Sequence, residues 1–298
     1  MSTIRQILAA TDLSTPARHA VVRAAWLARE HQAALTLHHV VDQGALATLE
    51  SVIESMHRHK LEDVVSDARQ QINALATALT DKYGVAIDQR LDSGRVVRAL
   101  MGAIADTDPD LVVLGARGLG FVRHMLIGST PERLLSRVRK PILVVRHAPR
   151  AAYQRVLVPV DFSLRSMPAL TLAHSVAPNA TLTALHVHQI PFEGRLHAAG
   201  LTQSAIDDVR AKVKARAESD MAALMERCDK AGIPVTPLLA TGDPSHRVLE
   251  HEHDQDCDLI VLGRHAHDPL SDLAVGSVAR HVLSHAQGDV LIAGQVDG

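Results

Sequence analysis

The chain repeats itself. RQILAATDLS, ending at Ser14, is matched by QRVLVPVDFS, ending at Ser163, and DPDLVVLG, ending at Gly115, is matched by DCDLIVLG, ending at Gly263. The offsets are 149 and 148 residues, and Gly94 and Gly242 keep the second of them. A period of this length makes the 298 residues two copies of one unit, each near the roughly 150 residues of an ordinary domain. The copies are expected at 1–148 and 152–298, joined near Arg146 to Gln154 around Pro149.

Within the first copy, apolar runs alternate with helical patterns. Strands are expected at Ile7 to Ala10, up to Val41, at Val85 to Leu91, at Leu111 to Gly115 and at Pro141 to Val145. Between them come helices from about Ala17 to Glu30, from about Leu49 through Lys82, across Val96 to Ala105, and from Ser129. Continuously apolar strands separated by helices indicate a parallel sheet covered on both faces. The expectation is therefore an α/β protein of two tandem doubly wound parallel-sheet domains, five strands each. Such sheets bind ligands beyond the carboxyl ends of the strands, where strand order reverses. Asp12 and Gly115 fall there.

Composition narrows the partners. Hydrophobic residues are 47% of the chain but aromatics only 2%, so the core is aliphatic and base-stacking platforms for single-stranded nucleic acid are not expected. A formal charge of −2 gives no overall field toward nucleic acid or an anionic membrane surface. Cys228 and Cys257 make no CxxC pair, against a disulfide framework or a thiolate zinc site. No apolar run approaches the ~20 residues of a membrane span, and the first residues, MSTIRQILAATD, do not read as a signal peptide. A cytoplasmic location follows as an expectation.

The loop after the fourth strand carries the chemistry. It reads GARGLGFVRHMLIGSTPERLL from Gly115, a G-x-x-G-x9-G-S spacing formed by Gly115, Gly118, Gly128 and Ser129. Glycines let amide N–H groups converge on an anion, and the following helix opens with donors and a dipole suited to phosphate. Ser129 with Glu132 three residues later also reads as a capping box. Asp12 has a plain reading too, as a residue that satisfies backbone amides in the strand-to-helix turn. A divalent cation bridging Asp12 and phosphates would suit hard oxygen ligands.

This strand, glycine loop and helix, paired with an Asp after strand one, resembles the universal stress protein family, in its tandem two-domain form. The resemblance covers nearly the whole chain, once per copy. It implies a Rossmann-like fold of the adenine nucleotide alpha hydrolase type and an ATP, ADP or AMP ligand; Mg is the divalent ion that would suit the Asp12 and phosphate oxygens. It also implies that Asp12 and the backbone near Val40 lie on the nucleoside side. Gly115, Arg117, Gly118, Gly128, Ser129 and Thr130 would then surround ribose and phosphates.

The second copy departs. GRHAHDPLSDLAVGSVARH keeps Gly263, Gly276 and Ser277 at the same spacing, with Asp161 and Val187 as the other second-site candidates, but the second glycine is Ala266. A Cβ there blocks backbone approach, and Asp268 and Asp272 add negative charge to the loop. Residues 1–150 carry 19 basic and 15 acidic side chains, leaving 12 and 18 for the rest. Arg117, Arg123, Arg133 and Arg137 are placed to attract phosphate, or form a solvated basic face. The first copy is therefore expected to hold the nucleotide. The alternative is an interaction module with the same fold and no nucleotide.

No P-loop lysine, nucleophile elbow or HExxH motif occurs. Binding with at most slow ATP hydrolysis is expected. Of the 19 histidines, His265 and His267 are the candidates for a metal, while His38, His39, His186 and His188 are expected to line the sheet rim. The last strands, Ile142 to Val145 and Val290 to Ala293, are apolar edges that must be paired or covered. By the resemblance they would pair with each other inside the chain, with a homodimer beyond that.

Overall fold

The computed structural model describes residues 4–44, 59–116, 128–189, 202–264 and 276–294. The first copy runs β1 (Gln6–Thr11), α1 (Thr15–His31), β2 (Ala34–Asp42), α2 (His59–Tyr83), β3 (Ile87–Gly94), α3 (Val96–Thr107), β4 (Leu111–Gly115), α4 (Ser129–Leu135) and β5 (Ile142–Val145). The second repeats that order as β6 (Arg155–Pro159), α5 (Ser166–Val176), β7 (Thr181–His188), α6 (Gln203–Lys230), β8 (Thr236–Thr241), α7 (Pro244–Asp254), β9 (Leu259–Leu262), α8 (Ser277–His285) and β10 (Asp289–Ile292).

Local chemistry sets the helix ends. Ser14 caps α1, its hydroxyl accepting from Ala17 N at 3.3 Å, and a proline sits in the first turn, where its missing N–H costs nothing. The helix closes on Gln32 in the left-handed region, φ 54. The buried residues of α1 are mostly alanines, with Val21, Leu27 and Arg23, which lets it lie close on the sheet. Strands β4, β5, β9 and β10 have every or nearly every residue buried, as strands covered on both faces must.

The ten strands form one sheet in the order β3-β2-β1-β4-β5-β10-β9-β6-β7-β8. All pairings inside a copy are parallel. The two copies meet where β5 runs antiparallel to β10, with Leu143 opposite Leu291. One aliphatic cluster packs α1, α2, α5 and α6 on one face, and a second packs α3, α4, α7 and α8 on the other. Each copy is thus doubly wound, with its switch point beside β1 or β6.

Strand β3 spans Ile87–Gly94, later than the Val85 to Leu91 expected from apolar pattern. It pairs with β2 as far as Asp42 opposite Gly94. As an outer strand it has less to bury, so its polar residues DQR and DS carry no apolar signal.

The joint between the copies is polar as well as apolar. Asp289, 4% exposed, accepts from Tyr153 Oη at 2.7 Å and from Arg146 N at 2.9 Å, and faces Arg23 Nε at 3.5 Å. Arg23 stacks its guanidinium 4.0 Å from the Tyr153 ring centre and donates to Ala151 O at 2.8 Å. Burial pushes the Asp289 carboxyl above its ordinary value, against the hydrogen bonds it accepts. Gly294 passes close to the first copy: a Cβ there would stand 2.6 Å from Arg139 O and 2.9 Å from Pro141 Cδ. Gly294→Ala is therefore expected to cost about 1–3 kcal/mol of stability, measured by denaturant unfolding. An unchanged midpoint would remove this contact from the account.

Candidate functional site

The two strand-one turns are built alike. In the first copy Asp12 Oδ1 accepts from Ser14 N at 3.0 Å, and Leu13 between them sits at φ 64. In the second, Asp161 Oδ1 accepts from Ser163 N at 3.0 Å, and Phe162 sits at φ 61. A non-glycine residue in the left-handed region costs about 1–2 kcal/mol, so the same strain held twice marks a turn that the fold requires. The carbonyl before each Asp is held by a histidine of the next strand. His39 Nδ1 lies 2.8 Å from Thr11 O, and His186 Nδ1 lies 2.9 Å from Val160 O. A carbonyl only accepts, so each ring carries its proton on Nδ1.

In the second copy these turns open on a cleft of about 220 Å³ at the carboxyl ends of β6, β7 and β9. Asp161, Val187, Gly263, Gly276 and Ser277 all line it. Arg165 and His186 join them, and neither was legible as a site residue from motif spacing. The signal for Arg165 was the repeat itself: aligned on the Asp-x-Ser turn, it stands where the first copy has Pro16.

The first copy places its candidates on the same frame. Asp12 follows β1, Val40 lies on β2 and Gly115 ends β4, three adjacent parallel strands. The glycine loop leaves at Ala116 and returns at Gly128, whose N–H donates to Ala116 O at 2.8 Å. Ser129 and Thr130 open α4. Arg117, Gly118 and Arg123 lie outside the described residues, as do Ala266, Asp268 and Asp272. Arg133 and Arg137 are exposed on or just beyond α4.

Two expectations need correcting. Ser129 is not a cap: the N-cap is Gly128, with no side-chain cap bond, and Ser129 is the first helical residue. Gly276 and Ser277 repeat this arrangement. Gly128 holds the extended cap conformation (φ −69, ψ 152), which shifts the serine one place into the helix and leaves its hydroxyl uncommitted to capping. His38 does not line the rim. It is fully buried, its Nε2 3.0 Å from Asp92 Oδ2 and its Nδ1 without a partner among the described residues.

Burial holds the His38 pKa below the ordinary 6.5, although Asp92 pulls the other way. His188 and His251 are lowered for the same first reason. Each is then neutral when folded but protonates near 6.5 when unfolded. Their stabilisation is complete above that value and is lost as pH falls through the folded value. The urea midpoint is expected to fall between about pH 7.5 and about pH 5.5, and to fall less in His38→Gln. Equal slopes in both proteins would exclude His38 as a contributor.

Among the described residues no group of three or more His, Cys, Asp or Glu could hold a metal ion. His265 and His267 lie outside them. No helix among the described residues is long and apolar enough to cross a membrane.

The model of the universal stress protein family matches residues 3–146 and again 152–294. A universal stress protein of Mycolicibacterium smegmatis is 26% identical over 301 residues, covering 96% of each chain. One of Bacillus subtilis is 28% identical over 145 residues, 98% of its own length and 47% of this chain. Among solved structures, a universal stress protein from Archaeoglobus fulgidus superposes with a TM-score of 0.71 at 18% identity, over 98% of this chain and 97% of its own. The duplicated switch-point turn, the glycine loop and these matches over both halves agree: the chain belongs to the universal stress protein family, as a tandem member with two copies of the family's domain.

Proposed function

We propose that the chain is a regulatory or sensing protein of the stress response that binds ATP or another adenine nucleotide, mainly in its first unit, residues 1–148. One observation carries this reading: in the second unit, residues 152–298, the described residues at motif positions, Asp161, Val187, Gly263, Gly276 and Ser277, converge on one cleft. The first unit repeats the frame of that cleft, from the Asp12 turn to the Gly128 cap, and keeps the second glycine, Gly118, as well. Asp12, Val40 and Gly115 form the nucleoside side. Arg117, Gly118, Gly128, Ser129 and Thr130 take ribose and phosphates, which the backbone donors of a glycine loop suit.

The protein residues fit Mg only with the nucleotide's help. Asp12 supplies one hard oxygen group, and phosphate oxygens would supply the others. Nothing in the described frame places a general base beside the phosphates, so turnover is expected below about 1 per second, the low end of ordinary enzyme rates. We place the protein in the cytoplasm and expect a homodimer in solution, in addition to the joint that β5 and β10 make within one chain.

Mass spectrometry of ligand carried through purification identifies the nucleotide. Calorimetry then compares ATP binding to the wild type and Gly118→Ala, a change that the second copy already has as Ala266. The expected loss is at least about tenfold, because a Cβ bars the backbone from the phosphates. Unchanged affinity sinks this reading and favours an interaction module that uses no nucleotide.

A further inference from the structure

The second copy has lost one glycine of the phosphate pattern, but it has acquired two arginines, one lining the cleft and one beside its wall. Aligned with the first copy, Arg165 replaces Pro16 and Arg264 replaces Ala116. Arg165 lines the cleft, half-buried, and its Nη1 donates to the carbonyl of Arg264. Arg264 directly follows Gly263 of the cleft wall and is only 2% exposed. Its Nη1 donates to Val138 O of the first copy at 2.7 Å, and among the described residues its Nε and Nη2 have no partner.

Neither arginine makes an ion pair among the described residues. Asp161, the carboxylate of the cleft, turns Oδ1 to Ser163 N and to Ser166 Oγ at 3.2 Å. Burial first, and Arg165 second, push the Arg264 guanidinium down to about 10, with no acid among the described residues offsetting them. A buried cation without a countercharge is unfavourable. A bound anion would supply what is missing.

We propose that the second cleft is a binding site in its own right for a phosphate monoester, held by the Arg165 guanidinium under the field of Arg264. Side-chain charge thus takes the place of the second glycine of the pattern, which this copy lacks. The amide end of α8, with Ser277, adds donors on the same wall. Val187, Val248 and Leu262 give the cleft an apolar side for a nucleoside. At about 220 Å³ it is smaller than the ~300–1,000 Å³ of common ligand pockets, which favours one phosphate over three, and so AMP over ATP. The nucleoside part rests on the nucleotide reading above; the anion part does not.

Calorimetry on the full chain tests this with AMP, ATP and inorganic phosphate. The proteins are the wild type, Gly128→Val, and Gly128→Val combined with Arg165→Gln or Arg165→Lys. Gly128→Val is directed at the first copy and is expected to retain one class of AMP site that prefers AMP to ATP. Adding Arg165→Gln should weaken that class at least about tenfold, the worth of a charge-assisted hydrogen bond to phosphate. Arg165→Lys should recover most of it.

AMP binding unaltered by Arg165→Gln overturns the proposal. The nucleotide reading survives that outcome if Gly128→Val has abolished ATP binding. A thermal-shift series covers variants that fold poorly. If no nucleotide binds the wild type, yet phosphate raises its Tm and Arg165→Gln removes the rise, the anion site stands and the nucleotide reading falls. A wild type that neither binds nor is stabilised by AMP or phosphate refutes the second-cleft site outright.

Discussion

Asp289→Ala is expected to lower the unfolding free energy by about 3–5 kcal/mol, the usual consequence of stripping one partner from a buried pair. The reason lies in what stays behind. Arg23 is 6% exposed, fixed over the Tyr153 ring and bonded to Ala151 O, so its charge would remain inside without Asp289 opposite. Tyr153 Oη and Arg146 N would lose their acceptor in the same step. Asp289→Asn keeps an oxygen for those two donors but no charge, and should fall between wild type and alanine. Urea unfolding followed by circular dichroism measures both. A loss below about 1 kcal/mol for the alanine variant, typical of exposed pairs, would show that Arg23 finds water and that this joint is not a buried ion pair.

Arg264→Met should act in the opposite direction. Arg264 is as buried as Arg23, but among the described residues it faces no carboxylate and two of its nitrogens have no partner. Replacing a buried charge by an apolar side chain of similar volume is often stabilising, here by about 1–4 kcal/mol. The sacrifice is one hydrogen bond to Val138 O. The gain should appear in ligand-free protein under urea and shrink when the second cleft is filled, because an anion held by Arg165 stabilises the wild type more than a variant that lacks the field of Arg264. A variant less stable than wild type would mean that the Val138 bond outweighs the desolvation of the guanidinium.

The two arginines differ in how they could be found. Arg23 lies in an ordinary alanine-rich helix, and nothing in its neighbours along the chain announces a partner at position 289. Arg264 and Arg165 were visible as departures between the copies, but a departure does not say whether a side chain enters a cleft or turns to solvent. His38 shows the same limit. Its place in an apolar strand left both its burial and its Asp92 partner open, because that partner belongs to β3, 54 residues away.

The site frame was more legible, since its parts are local. An Asp-x-Ser turn needs only its own backbone to form, and it formed twice with φ near 60 between the polar residues. The capping alternative for the serine after the third glycine fails because sequence cannot tell an N-cap from the first helical residue. That choice depends on the dihedrals of Gly128.

The order of residues alone was enough to establish a duplicated α/β chain, five strands to a copy, with its polar turns at the carboxyl ends of strands one and four. Apolar period, turn chemistry and internal repeat are all short-range properties, and they survive without knowledge of neighbours in space. Folding decided the rest: that β5 and β10 join ten strands into one sheet, that among the described residues Arg23 has a counter-ion and Arg264 has none, and that Arg165 lines a cleft. These are outcomes of burial and of contacts between distant segments, where the free energy of a charge depends on what the completed fold sets against it.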